Sequence, residues 1–191
     1  MKSDLAELLK SIYIDGQTEL FIRGCSNTPV FFNDLVEELK EMSDEVVIFN
    51  SENLPTEQIN IHVNTADADG IVIEYVSVLY VNKLVNCFYL QHEIEMHTPD
   101  RDVVEPFPDD YRCEPYNKKQ LVLEEMLVRR MTALGYRRLT FDEMEEVFPT
   151  KLYSTYWERE EYYDVRILLF DDYLDLTEDY SVFPATEKEE L

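Results

Sequence analysis

Glycine is scarce, with four residues in a chain of 191. That scarcity disfavours the glycine-rich turns that cradle phosphates, and neither a G-x-G-x-x-G run nor a Walker lysine motif occurs. Cysteine is sparse as well. Cys25, Cys87 and Cys113 are odd in number, widely spaced and form no C-x-x-C pair, which argues against a disulfide framework or a cysteine zinc knuckle. They read as buried free thiols of a reducing compartment. No apolar run approaches the roughly 20 residues of a membrane span. The N-terminal stretch MKSDLAELLKSIYIDG carries acidic residues inside an amphipathic pattern and does not read as a signal peptide. A cytoplasmic location is the expectation. Positive charge is the other shortage: 17 Lys and Arg stand against 41 Asp and Glu, for a net charge of −24. Such a surface repels nucleic acid and anionic lipid; it favours solubility or a basic partner.

What is present is enough apolar surface to fold. Hydrophobic residues make up 45% of the chain, including 13 Tyr and 10 Phe, which argues against general disorder. Residues 1–183 read as one α+β domain and 184–191 as a flexible acidic tail. The longest apolar-rich run, Ile71 to Met96, reads as two long strands turning at Asn82-Lys83. Ile59 to Val63 precedes them as a strand, and Asp69-Gly70 is a hairpin signal because glycine tolerates positive φ. Three strands joined by short turns predict an antiparallel meander. Apolar residues fall on both parities of the long strands, so the sheet needs cover on both faces, from its own chain or from a partner.

Around this centre, Leu5, Leu8, Leu9 and Ile12 form a helical stripe. Thr18 to Arg23 reads as a strand with Pro29 to Phe32 as a short partner. A helix follows on Leu35, Val36, Leu39 and Met42, then a strand at Glu45 to Phe49. The stretch 97–117, with four prolines, reads as a long connection, either a subdomain break or a functional loop. Lys118 to Leu134 is the clearest helix, closed by Gly135 as a left-handed cap. Thr140 and Glu143 form a capping box opening a short helix. Leu152 to Trp157 and Tyr163 to Phe170 read as a closing hairpin around the charged turn 158–161. The predicted fold is an antiparallel sheet with helices packed mainly on one face.

No catalytic signature stands out. There is no G-x-S-x-G elbow; Cys25 follows a glycine in an expected loop, but nothing places a histidine beside it. His62, His92 and His97 are the three histidines. His92 and His97 are five apart, so they miss the i, i+4 spacing of a zinc-binding helix and, on a strand, point to opposite faces. His62 and His92 remain weak metal candidates if they meet across the sheet with Glu93 or Glu95 nearby. Asp171-Asp172, Asp109-Asp110 and Asp67/Asp69 are carboxylate pairs of the kind that hold divalent ions, yet surface carboxylates are the plainer reading. No cofactor is expected. Lys118, Lys119, Arg129, Arg130, Arg137 and Arg138 form a local basic cluster, a phosphate patch or a set of partners for nearby acids.

From Leu139 onward, 16 acidic residues outnumber 4 basic ones and are interleaved with tyrosines. Tyrosine and tryptophan anchor interfaces, and carboxylates among them suit a basic surface. The expected partner-binding residues are Tyr156, Trp157, Glu158, Glu160, Glu161, Tyr162, Asp171 and Asp172. In general character, as a small acidic α+β protein without a catalytic signature, the chain resembles bacterial immunity and inhibitor proteins. That resemblance implies a non-enzymatic module binding a basic protein surface, or a nucleic-acid mimic. The alternatives are a metal-dependent hydrolase on the sheet histidines and a small-ligand domain with the proline-rich stretch as lid.

Overall fold

The computed structural model describes residues 3–49, 54–68, 70–98, 101–104, 114–154 and 159–171. Three helices come first: α1 (Ser3–Tyr13), α2 (Thr18–Cys25) and α3 (Phe32–Met42). The strand expected at Thr18 to Arg23 is therefore a helix, and Pro29 to Phe32 leads into α3 rather than pairing. The reason lies in which residues are buried. Phe21 and Cys25, four apart, go fully into the core while Ile22 stays exposed, a helical and not an alternating pattern. Gly24 lets α2 approach Leu84 closely; a Cβ there would fall 2.2 Å from Leu84 Cδ2.

Five strands follow: β1 (Glu45–Phe49), β2 (Thr56–Ala68), β3 (Ile71–Asn82), β4 (Cys87–Thr98) and β5 (Arg101–Val104). They lie side by side in chain order, each pair antiparallel. The two long strands are thus where the apolar run predicts them, with Gly70 at φ 80° before β3. Asn82 closes the β3–β4 turn by accepting from the backbone N–H of Leu84 and Val85, both at 2.9 Å. The stretch expected as a long connection from residue 97 instead begins with the end of β4 and contains β5, so regular structure enters it despite its prolines. The sheet is mixed and not a pure meander, because β6 (Arg137–Arg138) adds beside Cys87 and Phe88 in parallel.

Helix α4 (Lys118–Ala133) is capped by Asn117, whose side chain accepts from Gln120 N. Gly135, at φ 83°, follows it. The capping box at Thr140 and Glu143 opens α5 (Phe141–Met144). β7 (Leu152–Ser154) pairs with β8 (Arg159–Glu161) as a separate hairpin. The expected second arm of that hairpin is instead a helix, α6 (Val165–Phe170), capped by Asp164 accepting from Ile167 N at 2.8 Å. The burial of Val165, Leu168 and Leu169 at i, i+3 and i+4 decides this.

The helices divide between both faces of the sheet rather than packing mainly on one, and so supply the cover that both faces were expected to need. Leu79, Val81, Phe88 and Leu90, with Ile59 and Ile61, face α3 and α4. Tyr89 and Cys87, of opposite parity on β4, join α1, α2, α5 and α6 in a second core. Tyr13 ties that second core together, its hydroxyl donating to Leu168 O at 2.7 Å. Each large apolar side chain buried this way stabilises the fold by about 1.5–3 kcal/mol relative to exposure. Cover is not uniform along the strands. β3 is buried from Val76 to Leu79 but only half-buried from Val72 to Tyr75, and β4 becomes half-buried from Glu93 onward. The sheet's outer half therefore projects past the helices with polar side chains at the surface. Among the described residues no helix is long and apolar enough to cross a membrane.

Candidate functional site

Four polar features of the sheet and its surroundings merit a chemical reading. The first is a buried relay on the α4 side. Ser77 and His92 are cross-strand partners, both fully buried. Ser77 Oγ lies 2.9 Å from His92 Nδ1, and His92 Nε2 lies 3.0 Å from Glu124 Oε2 on α4. Glu124 in turn accepts from Arg138 of β6. Burial holds the His92 pKa below its ordinary 6.5, against the pull of the Glu124 hydrogen bond and charge. The order hydroxyl–imidazole–carboxylate has the outline of a nucleophilic triad. Yet Ser77 is shut off from solvent, so the relay fastens β3, β4, α4 and β6 to one another. Gln120 extends that fastening: its Nε2 donates to Val76 O at 2.9 Å and its Oε1 accepts from Tyr116 N at 2.9 Å.

The second feature lies on the opposite face, in the projecting half. His62 Nδ1 is 3.1 Å from Glu74 Oε2. His97 Nε2 is 3.7 Å from the same oxygen and 3.8 Å from Glu95 Oε2. The pleat explains the grouping. Glu74 and Glu95 are direct cross-strand partners, and His97 sits one step further along opposite Val72. The same register separates the two weak metal candidates. His62 pairs with Val76, and Val76 with Glu93, so His62 shares their face, whereas His92 shares that of Ser77. The structure does not bring His62 and His92 together. It brings His62 to Glu74, Glu95 and His97 instead. Pairing register carried that information, and the sequence alone left it open.

The third feature is the set of expected partner-binding residues. Tyr156, Trp157, Glu158 and Asp172 lie outside the described residues. Glu160 and Glu161 belong to β8, opposite Tyr153 and Leu152. Tyr162 is 62% exposed, with Lys151 Nζ 5.5 Å from its ring centroid. Asp171 is not on the hairpin. It lines a cavity of about 220 Å³ with Gln58, Tyr80, Tyr89, Gln91 and Arg166. The residue stays open to solvent at the cavity mouth, but burial around its carboxyl pushes the pKa up, with Arg166 acting the other way.

The fourth feature was not anticipated. On α3, Asp34, Glu37 and Glu41 are exposed at helical spacing, and Asp44 and Glu45 are exposed where the chain passes from the helix into β1. Lys40 pairs with Glu37 at 2.8 Å. Next to this acidic ridge, Met42, Ile48 and Phe49 are exposed apolar side chains. Among the described residues β1 pairs on one side only, with β2. The signal is legible as acids at i, i+3 and i+7, on the opposite side of α3 from Leu35, Val36 and Leu39.

Half of the basic cluster pairs with acids of the chain, while Lys118, Lys119 and Arg129 are exposed. Arg130 reaches Glu38 at 3.5 Å, Arg137 reaches Glu143 at 2.6 Å and Arg138 pairs with Glu124. The cysteines that are described offer no nucleophile. Cys25 is in the core on α2, not in a loop, and burial pushes the Cys87 thiol up to about 12 despite Arg137 nearby. Compared with known protein families, curated proteins and solved structures, the chain has no significant match.

Proposed function

We propose that this chain is a non-enzymatic acidic interaction module that binds a basic protein surface, in the manner of an inhibitor or of a protein that mimics nucleic acid. The observation that carries the reading is how positive charge is used. Lys83, Arg130, Arg137, Arg138 and Arg166 are all engaged with carboxylates of the same chain. Internal pairing removes acids and bases one for one, so it leaves the excess of 24 negative charges in place. The same acidic chain exposes apolar and aromatic side chains at Ile48, Phe49 and Tyr162. A carboxylate rim steers a cationic partner into encounter, and apolar and aromatic anchors at its centre hold it. The α3–β1 ridge supports the reading better than the hairpin alone, because acids, exposed apolar residues and a strand edge adjoin there.

Binding of this kind weakens with salt, since rim charges beyond about 10 Å are screened at 0.1 M. The test is affinity capture with the whole chain at 50 and 300 mM salt, followed by titration of the captured protein against the double variant Glu37→Lys, Glu41→Lys. A basic partner, with affinity falling about tenfold or more over that salt range and again in the variant, is the expected outcome. An acidic partner, or affinity indifferent to both changes, overturns the proposal.

A further inference from the structure

We propose that the projecting half of the sheet carries a binding site for a divalent transition-metal ion. Glu74, Glu95 and His97 are its ligands, and His62 holds Glu74 in position. The three donor atoms lie within 4.8 Å of one another. Two separations meeting at His97 Nε2 are 3.7 and 3.8 Å. Ligands bound at about 2.1 Å in tetrahedral geometry stand about 3.4 Å apart. Side-chain torsions cover the remaining few tenths of an ångström for these two separations, and rotation of the two half-buried carboxylates closes the Glu74–Glu95 separation from within 4.8 Å.

The placement has a cause in the register. Glu74 and Glu95 are directly opposed on neighbouring strands. Two carboxylates so placed repel and cost stability unless a cation lies between them. Here both carboxylates have an imidazole nearby, and the β3 partner of His97 is Val72, a small side chain. His97 can therefore lean along the pleat toward Glu74 and Glu95. Among the described residues no Lys or Arg shares the cluster's ion pairs. His62 approaches Glu74 at 3.1 Å, as outer hydrogen-bond partners of a ligating carboxylate do. The neighbouring Glu93, on the same face, is engaged by Gln91 and is not part of the donor set.

The donor chemistry selects the ion. One imidazole nitrogen with two carboxylate oxygens suits zinc or manganese, whereas magnesium and calcium favour oxygen-only surroundings. Three protein ligands leave at least one position for water, as in metal sites that bind or activate small molecules. The three ligands and His62 are none of the α3 acids, so the two proposals are tested by different variants; Glu45, the cross-strand partner of His62, is left unchanged in both tests.

The experiment is calorimetric titration of zinc into the full-length, tag-free chain after chelator treatment, in a background of millimolar magnesium. The expected result is one zinc per chain, undisturbed by magnesium. Glu95→Gln and His97→Ala each lower the affinity at least about 100-fold, and His62→Ala lowers it about 10- to 100-fold. Because these side chains are half-exposed, the variants are expected to fold, and circular dichroism checks that. A second readout is thermal unfolding: zinc raises the midpoint of the wild type and leaves that of Glu95→Gln unchanged. Absence of saturable one-to-one uptake overturns the proposal. So does uptake that Glu95→Gln and His97→Ala leave intact, or a midpoint shift equal in wild type and variant; these outcomes assign the zinc to the general acidic surface.

Discussion

Lys83 looks like a turn residue in the sequence, yet its side chain is 1% exposed and that of Glu57 is 0%. Their charged atoms are 3.1 Å apart. Lys83 Nζ also donates to Cys25 O at 2.8 Å, and Thr28 Oγ1 donates to Glu57 Oε1 at 2.9 Å. The pair thus joins the β3–β4 turn, the start of β2 and the end of α2. Replacing Glu57 with Gln keeps the shape and removes the negative charge, which leaves a buried ammonium facing neutral acceptors. Breaking one partner of such a pair costs about 3–5 kcal/mol, a large part of the roughly 5–15 kcal/mol by which domains are stable. In urea, with a slope of about 2–3 kcal/mol per molar for a chain this long, the midpoint falls by about 1–2 M. The double variant Glu57→Leu, Lys83→Met removes both charges and, among the described residues, leaves the Cys25 carbonyl and the exposed Thr28 without these partners. It is expected to lie within about 2 kcal/mol of wild type. The reasoning fails if Glu57→Gln unfolds within about 1 kcal/mol of wild type, or if the double variant is as unstable as the single one.

His92 predicts a pH effect. Its pKa is lowered on folding, so the unfolded chain binds the proton more readily; stability from the neutral imidazole is present above pH 6.5 and is lost as pH falls below it. Urea denaturation between pH 7 and 5 is expected to show a shallower acid slope for His92→Gln than for wild type, and parallel slopes count against a buried neutral His92. Gly24→Ala favours the helix by propensity but places its Cβ against Leu84; a net loss of about 1 kcal/mol is expected, reversed by adding Leu84→Ala. Equal stability of Gly24→Ala and wild type means that Leu84 moves aside without cost.

Periodicity is a local property, and it served where one face of an element is buried over several turns. The stripe of α1, the helix from Lys118 with Gly135 after it, the capping box at Thr140 and the two long strands all follow from spacing and end signals. It misled at Thr18–Cys25 and Val165–Phe170. Both segments are short and apolar on both parities, so strand and helix patterns fit equally well. Only the neighbours that bury Phe21, Cys25, Leu168 and Leu169 decide between them.

The sequence by itself determined the charge, the absence of nucleotide-loop and catalytic signatures, and a central sheet requiring cover on both faces. Tertiary structure decided what the polar residues do, because that depends on cross-strand register, which spacing along the chain does not encode. Register sent His92 inward to Ser77 and Glu124, and set His62, Glu74, Glu95 and His97 together on the other face. The packing of α2 against the β3–β4 turn likewise drew Lys83 out of water to Glu57. In each case the partner is remote in sequence, so no local pattern could announce it.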